Sequence, residues 1–290
     1  MSEARATRAQ GPLLWWTVGP GLAYLITFFA APMALVALVS VLEADPAGGV
    51  RPALSLSAYA RALDPLYLGV LLRSAGLAAL TTVISLAAAY PTAWAIRAAP
   101  TRWRGPLLAL VIVPSWMNLL IKNYAWIVLL RRQGIVNSAL LGVGAVDEPL
   151  TLLFTTGAVL IGLVHTYLPF MVLPLYVALD RMDGSLVEAA RDLGAGRWGV
   201  FRRVVVPQTI AGVAVGCTLV FIPALGAFVT PDLLGGPRSL MVGTLIENQL
   251  LQVRDWPFAS ALSVLLMAVV GAALLAARRF AEPSDLVGRA

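Results

Sequence analysis

Apolar positions in this chain do not alternate with polar ones; they run on. Uncharged stretches cover residues 9–42, 74–96, 149–179, 204–231 and 256–277, and a sixth, 105–130, is interrupted only by Lys122. A helix needs roughly 20 residues to cross a bilayer. The pattern therefore predicts six transmembrane helices, near 14–41, 69–96, 106–130, 152–179, 208–230 and 257–277. Helices that are apolar all round belong in lipid rather than in a one-faced soluble core. The predicted fold class is all-α: an integral membrane bundle of six transmembrane helices forming a single domain over 1–290. It has an N-terminal tail at 1–13, a transmembrane core at 14–280 and one large polar loop at 180–207.

Composition agrees, with 59% hydrophobic and 12% charged residues, against roughly 25% charged in an ordinary soluble domain. The first apolar run is too long for the ~7–15-residue core of a signal peptide and reads as an uncleaved helix. Placing the N-terminus inside puts 13 arginines in inner segments and 7 in outer ones. Positive charge concentrates on the cytoplasmic side of membrane proteins. Both termini and the 180–207 loop are therefore expected in the cytoplasm, and the net charge of +6 needs no nucleic acid to explain it. The outer connections, Glu43 to Pro65, Arg131 to Pro149 and Pro231 to Asp255, hold Gly, Pro and acids, while the inner one from Ala98 to Gly105 is short and basic. The single cysteine, Cys217, reads as a small packing residue.

The polar loop has the chemistry of a short helix with a start and a stop. Ser185 and Glu188, three apart, match a capping box, and Glu188 falls where the helix dipole favours an acid. Leu186, Ala190 and Leu193 share one face at helical spacing, with Arg191 and Asp192 pointing elsewhere. Ala189 and Ala190 keep the helix narrow, as insertion into a partner's groove requires. Gly194 is placed to end it in a left-handed conformation. Ala195 to Val205 is expected as a second short helix with Arg197, Arg202 and Arg203 at the membrane surface, and Pro207 begins the next span. From these residues alone, a docking handle for another subunit and an ordinary amphipathic loop helix fit equally well.

Glu188-Ala189-Ala190, then Gly194, then Val204-x-Val206-Pro207, resembles the cytoplasmic loop of permease subunits of binding-protein-dependent ABC importers. Residues 114–126 (PSWMNLLIKNYAW), 167–176 (YLPFMVLPLY), 221–243 (FIPALGAFVTPDLLGGPRSLMVG) and 254–261 (RDWPFASA) resemble the spermidine/putrescine branch of that family. The likeness spans roughly residues 70 to 280, and Ala227 departs from an acidic residue that some putrescine permeases carry there. What the resemblance implies is a type I importer permease in the bacterial cytoplasmic (inner) membrane, moving a polyamine or similar small organic cation. It implies as partners two ABC ATPase subunits, a second and related permease forming a heterodimer, a solute-binding protein and the lipid bilayer. On this resemblance the segment Glu188, Ala189, Ala190, Arg191, Asp192, Gly194 and Pro207 couples the permease to the ATPase. An exclusion from the residues themselves agrees: the only lysine, Lys122, follows no Gly-x-x-x-x-Gly-Lys, so the phosphate-cradling loop of an ATPase is absent. The chain is expected to bind no cofactor, with ATP and Mg²⁺ used by the partner ATPase.

Polar and aromatic groups at membrane depth are the candidates for the solute pathway: Trp116, Asn118, Tyr124, Phe221, Phe228 and Asp232. Aromatic faces can guide an ammonium, though packing or an interface belt explains them as well. Asp232, expected at the outer end of the fifth helix, is the best single candidate for drawing in a cation; a loop acid capping the next segment fits equally. Lys122 reads as a side chain that snorkels outward or pairs with an outer-loop acid. His165 reads as a helix–helix hydrogen-bonding group, with no companion residues for a metal site. Pro114, Pro169, Pro174 and Pro223 are expected to bend their helices. A self-sufficient secondary carrier or channel is the rival reading. A membrane enzyme is the third, and no nucleophile, acid–base set or metal cluster supports it.

Overall fold

A helix satisfies its own backbone hydrogen bonds, as an uncharged run must in lipid. The computed structural model describes residues 19–236 and 239–281; the N-terminal tail 1–13, the first residues of the first expected span, Arg238 and Arg289 lie outside them. Five described helices are long and apolar enough to cross a membrane: Gly19–Val39, Pro65–Ala98, Thr156–Asp180, Arg197–Leu225 and Trp256–Ala276. The last continues as helix to Ala281.

The third expected span is not one helix. Thr101–Trp116 and Leu119–Gly142 meet at 93°. Pro114 lies in a 3-10 turn, Val113–Trp116, after which Met117 is extended. Asn118 then restarts the helix, its side-chain oxygen accepting from the Leu120 amide at 2.8 Å. An asparagine that satisfies a free amide in this way favours a helix start over a helix interior. The fifth expected span, 208–230, also ends early. It stops at Leu225 before Gly226, and Val229–Gly235 is a separate helix.

The beginning of that fifth span differs too. The short helix expected over 195–205 is continuous with it: Arg197–Val200, a π-turn Phe201–Val205, then Val206–Leu225. Pro207 gives the reason. A proline lacks an N–H and its ring crowds the carbonyl four residues back; the widened turn lets the Val206 amide bond to the Phe201 carbonyl instead. The same arrangement precedes Pro32, where the π-turn Ile26–Ala30 closes with the Ala31 amide on the Ile26 carbonyl.

The chain forms two compact units, Met1–Asp64 with Asn248–Leu265, and Pro65–Glu247 with Leu266–Ala290. In the first, a short antiparallel hairpin pairs Leu42–Ala44 with Val50–Leu54, and Arg51 meets Asp45 at 3.1 Å. Arg61 donates to Asp255 at 2.7 Å and lies 3.5 Å over the Phe258 ring, while Asp255 accepts from the Phe258 amide at 3.1 Å. The Arg254–Pro257 stretch is thus a helix start held by Asp255. No residue of Gly19–Val39 is buried within the chain.

The second unit is built on Pro65–Ala98, Thr156–Asp180 and Val206–Leu225, which pack on one another. Helices in lipid gain little hydrophobic energy by meeting and depend on close packing through small residues. Gly212 and Gly216, one turn apart, provide it. A Cβ on Gly212 would lie 2.5 Å from the Ala178 Cβ and 2.8 Å from the Pro174 carbonyl oxygen, and one on Gly216 2.6 Å from the Met171 sulfur. Ala89, Ala93 and Ile96 pack with Met171, Leu175 and Leu179 in the same core. Tyr90 and Thr209 share a hydroxyl hydrogen bond at 2.8 Å. Ser74 accepts from the Val242 amide at 2.8 Å.

Gly212→Val should wedge these two helices apart and lower stability by about 1–3 kcal/mol, as overpacking does. Gly76→Ala, where a Cβ meets nothing within 4 Å, should leave it within about 0.5 kcal/mol. Thermal unfolding of both variants in the same detergent checks the difference.

Candidate functional site

The polar loop folds as the helix Gly184–Asp192, and both its ends are chemically closed. The start differs from the capping box expected of Ser185 and Glu188. Asp183 is the cap, accepting from the Ser185 amide at 2.9 Å, and Glu188 falls beyond the first turn, which holds no acid. A carboxylate at the cap satisfies an otherwise free amide and meets the positive end of the helix dipole. The Ser185 backbone amide, and then its hydroxyl, hold the Asp183 carboxyl below its ordinary value. At the other end Gly194 has φ +80°, as expected. Its amide bonds to the Arg191 carbonyl at 2.8 Å and the Ala195 amide to the Ala190 carbonyl at 3.0 Å, the paired pattern of a glycine stop. A Cβ on Gly194 would meet nothing within 4 Å, so the requirement there is backbone conformation rather than space.

The helix shows two apolar edges. Val187 is buried in the core that also holds Met182 and Leu179, and Ala190 packs partly against it. Leu186 and Leu193 are exposed, Leu193 at 88%, and Glu188, Ala189, Arg191 and Asp192 are exposed beside them. The expected face of Leu186, Ala190 and Leu193 is thus split: Ala190 turns partly toward its own chain, and the two leucines remain open. Arginines on either side of the short inner connection, Arg97 ending Pro65–Ala98 and Arg104 in Thr101–Ile112, anchor the base of this segment. Arg97 donates to the Met182 carbonyl at 3.1 Å, and Arg104 pairs with Asp180 at 3.2 Å.

The pathway candidates lie on short separate elements. Trp116 ends the 3-10 turn and is 79% exposed; Asn118 is the helix cap described above; Tyr124, in Leu119–Leu130, is exposed. Phe228 is the residue before Val229–Gly235 and is exposed, and Asp232 sits in the first turn of that helix. Asp232 is therefore not at the end of the fifth span, which stops at Leu225, but where a helix dipole favours an acid. Phe221 alone of the six lines the apolar groove formed with Thr82, Cys217 and Leu274.

Lys122 does not snorkel and forms no ion pair among the described residues; it is buried, as is Asn123 beside it. Asn123 approaches the Gly162 backbone, where a Cβ would lie 3.7 Å from the Asn123 oxygen and 2.6 Å from Leu234. His165 meets Trp126 edge to face, ring centroids 5.7 Å apart. Buried Asn137 was not singled out in the sequence. It bridges the 131–150 loop, donating to the Leu150 carbonyl and accepting from the Leu150 amide, both at 2.9 Å. An Asn one turn into a short apolar helix was the only signal for it.

The family model of the binding-protein-dependent transport system inner membrane component matches residues 13–284. The spermidine/putrescine transport system permease protein PotB of Salmonella typhimurium is 43% identical over 252 residues, covering 87% of this chain and 88% of the relative. The Escherichia coli protein of the same name is also 43% identical, with 87% and 92% covered. Among solved structures, a bacterial ABC transporter involved in import of the acidic polysaccharide alginate superimposes with a TM-score of 0.75. It is 17% identical and covers 97% of this chain and 100% of that one.

Because folding holds the Asp183 carboxyl below its unfolded value, the cap stabilises the helix above the ordinary aspartate range and is lost as pH falls through the lowered value. Asp183→Ala should speed amide exchange across Ser185–Val187 at neutral pH, with Asp183→Asn close to wild type. The difference between wild type and Asp183→Ala should vanish on acidification, which exchange measured at both pH values checks.

Proposed function

The chain belongs to the family of binding-protein-dependent transport system inner membrane components, and we propose that within such a system it helps form a pathway for polyamines. It is the permease subunit of an ABC importer, and ATP hydrolysis belongs to a separate subunit. The observation that carries the substrate reading is identity to spermidine/putrescine permeases sustained over nearly the whole chain. A second, related permease completes the pathway, and a solute-binding protein delivers the cargo on the outer side. The arginine-rich loops and both termini face the cytoplasm, in keeping with the positive-inside bias; a C-terminal reporter active only in the cytoplasm checks this.

The Gly184–Asp192 helix is the element that receives the ATPase. Its support is geometric: a helix capped at Asp183, stopped at Gly194, seated by Val187 and open at Leu186, Glu188 and Leu193. A rigid element held at its base moves as one body when its outer face is pulled. After the stop at Gly194, helix resumes at Arg197 and runs through the π-turn and Pro207 into the fifth span without a break. Trp116, Asn118, Tyr124, Phe221, Phe228 and Asp232 line the route on this reading, and the exposed Asp232 carboxylate attracts the cation.

Two measurements test the proposal. In proteoliposomes with the partner subunits, the binding protein loaded with spermidine or putrescine should stimulate ATP hydrolysis. Stimulation by a different solute class, with none by polyamines, would refute the substrate reading. In the same vesicles Gly194→Val and Glu188→Arg should keep basal hydrolysis while lowering uptake at least about tenfold, roughly 1.4 kcal/mol of coupling. Asp232→Asn should raise the KM for uptake. Uptake at wild-type levels in the first pair removes the coupling role, and an unchanged KM removes Asp232 from the route.

A further inference from the structure

The polar helix, the second span and the beginning of the fifth line a cleft of about 530 Å³ that joins basic and apolar side chains. Arg191 and Arg197 line it together with Trp94, Trp198, Pro91 and Phe201. Both arginines and both tryptophans are exposed, Trp198 at 71%. Neither arginine belongs to an ion pair among the described residues, unlike Arg51, Arg61 and Arg104. Part of the wall is set by aromatic packing. Trp198 stacks on Phe201 with centroids 5.5 Å apart, and Phe201 meets Tyr90 edge-on at 5.2 Å.

We propose that this cleft is a binding site for an anionic phospholipid, with the phosphate between Arg191 and Arg197 and an acyl chain along Pro91, Trp94 and Phe201. The location argues for lipid. Pro91 and Trp94 fall in the last turns of the Pro65–Ala98 span, the depth at which tryptophan marks the membrane interface. Basic pockets between membrane helices on the arginine-rich side recognise acidic headgroups. A soluble phosphate would use the two guanidinium groups and leave the apolar wall idle. A neutral lipid would use the wall and leave the charges unpaired. Arg191 lies on the Gly184–Asp192 helix and Trp94 on the second span, so one lipid molecule would tie the polar helix to a membrane helix. This inference does not depend on which solute is carried.

The test uses the complete purified transporter in nanodiscs of phosphatidylcholine with phosphatidylglycerol, and reads retained lipid by native mass spectrometry and photo-crosslinking. Wild type should retain phosphatidylglycerol in preference to phosphatidylcholine, with crosslinks near Trp94 and Trp198. Each arginine removed should cost about fivefold in retention. Arg191→Gln/Arg197→Gln should therefore lose most of the bound lipid, while Arg191→Lys/Arg197→Lys, with its charge kept, should hold it. Thermal unfolding of both double variants reports on folding. Soluble glycerol phosphate should not displace the lipid. Equal retention by wild type and the glutamine variant, equal retention of the two lipids, or displacement by glycerol phosphate would overturn the proposal. A crosslink showing the cleft filled by the ATPase would do the same.

Discussion

The approach of the fourth and fifth spans at Gly212 and Gly216 is the contact on which the rest of the second unit depends. Two glycines one turn apart place a helix backbone against Pro174, Ala178 and Met171, closer than any side chain would allow. The polar helix is the connection between these two spans, so their separation decides where it is held. Its own attachment is modest: Val187 and part of Ala190 on the core, with Arg97 and Arg104 bracing the end of the fourth span. A shift at the glycines would move Met182 and Leu179, and with them the seat of Val187.

The second constraint is that every interruption of a membrane helix must satisfy the backbone groups it frees. This chain does so locally and by different means. Asn118 closes the start that follows the Pro114 turn, and a widened turn absorbs the missing donor before Pro32 and before Pro207. Ser74 reaches across to the Val242 amide, and Asp255 caps the final helix. Irregular backbone is placed where a side chain or a longer turn can answer for it. Pro91, Pro169, Pro174 and Pro223, by contrast, sit inside continuous helix.

The uncharged runs made the membrane class, most span positions and the stop at Gly194 legible, because burial in lipid and positive φ leave strong marks on residue choice. What was missed depended on competition between nearby signals. Ser185 and Glu188 have the spacing of a capping box, yet Asp183, two residues earlier, is the stronger cap and won. The continuous apolar run 106–130 concealed a bend of 93°, because hydropathy counts side chains and the break lies in backbone preferences at Pro114 and Asn118. The same blindness carried the fifth span past Gly226 and misplaced Asp232. The Gly212–Gly216 pair has a recognisable spacing, but its meaning depends on which helix lies opposite, and one sequence does not say that.

The surfaces left open in this chain are of three chemical kinds. The Gly19–Val39 helix buries no residue fully, so most of its surface is available to lipid or another membrane helix. Leu186 and Leu193 expose apolar surface on a polar helix, where a soluble partner can reach it. Lys122 is a buried cation with no acid beside it among the described residues. A charge so placed is costly unless a counter-charge arrives or water reaches it. A self-sufficient carrier has to complete such features within one polypeptide. A permease subunit leaves such features to be completed by its assembly.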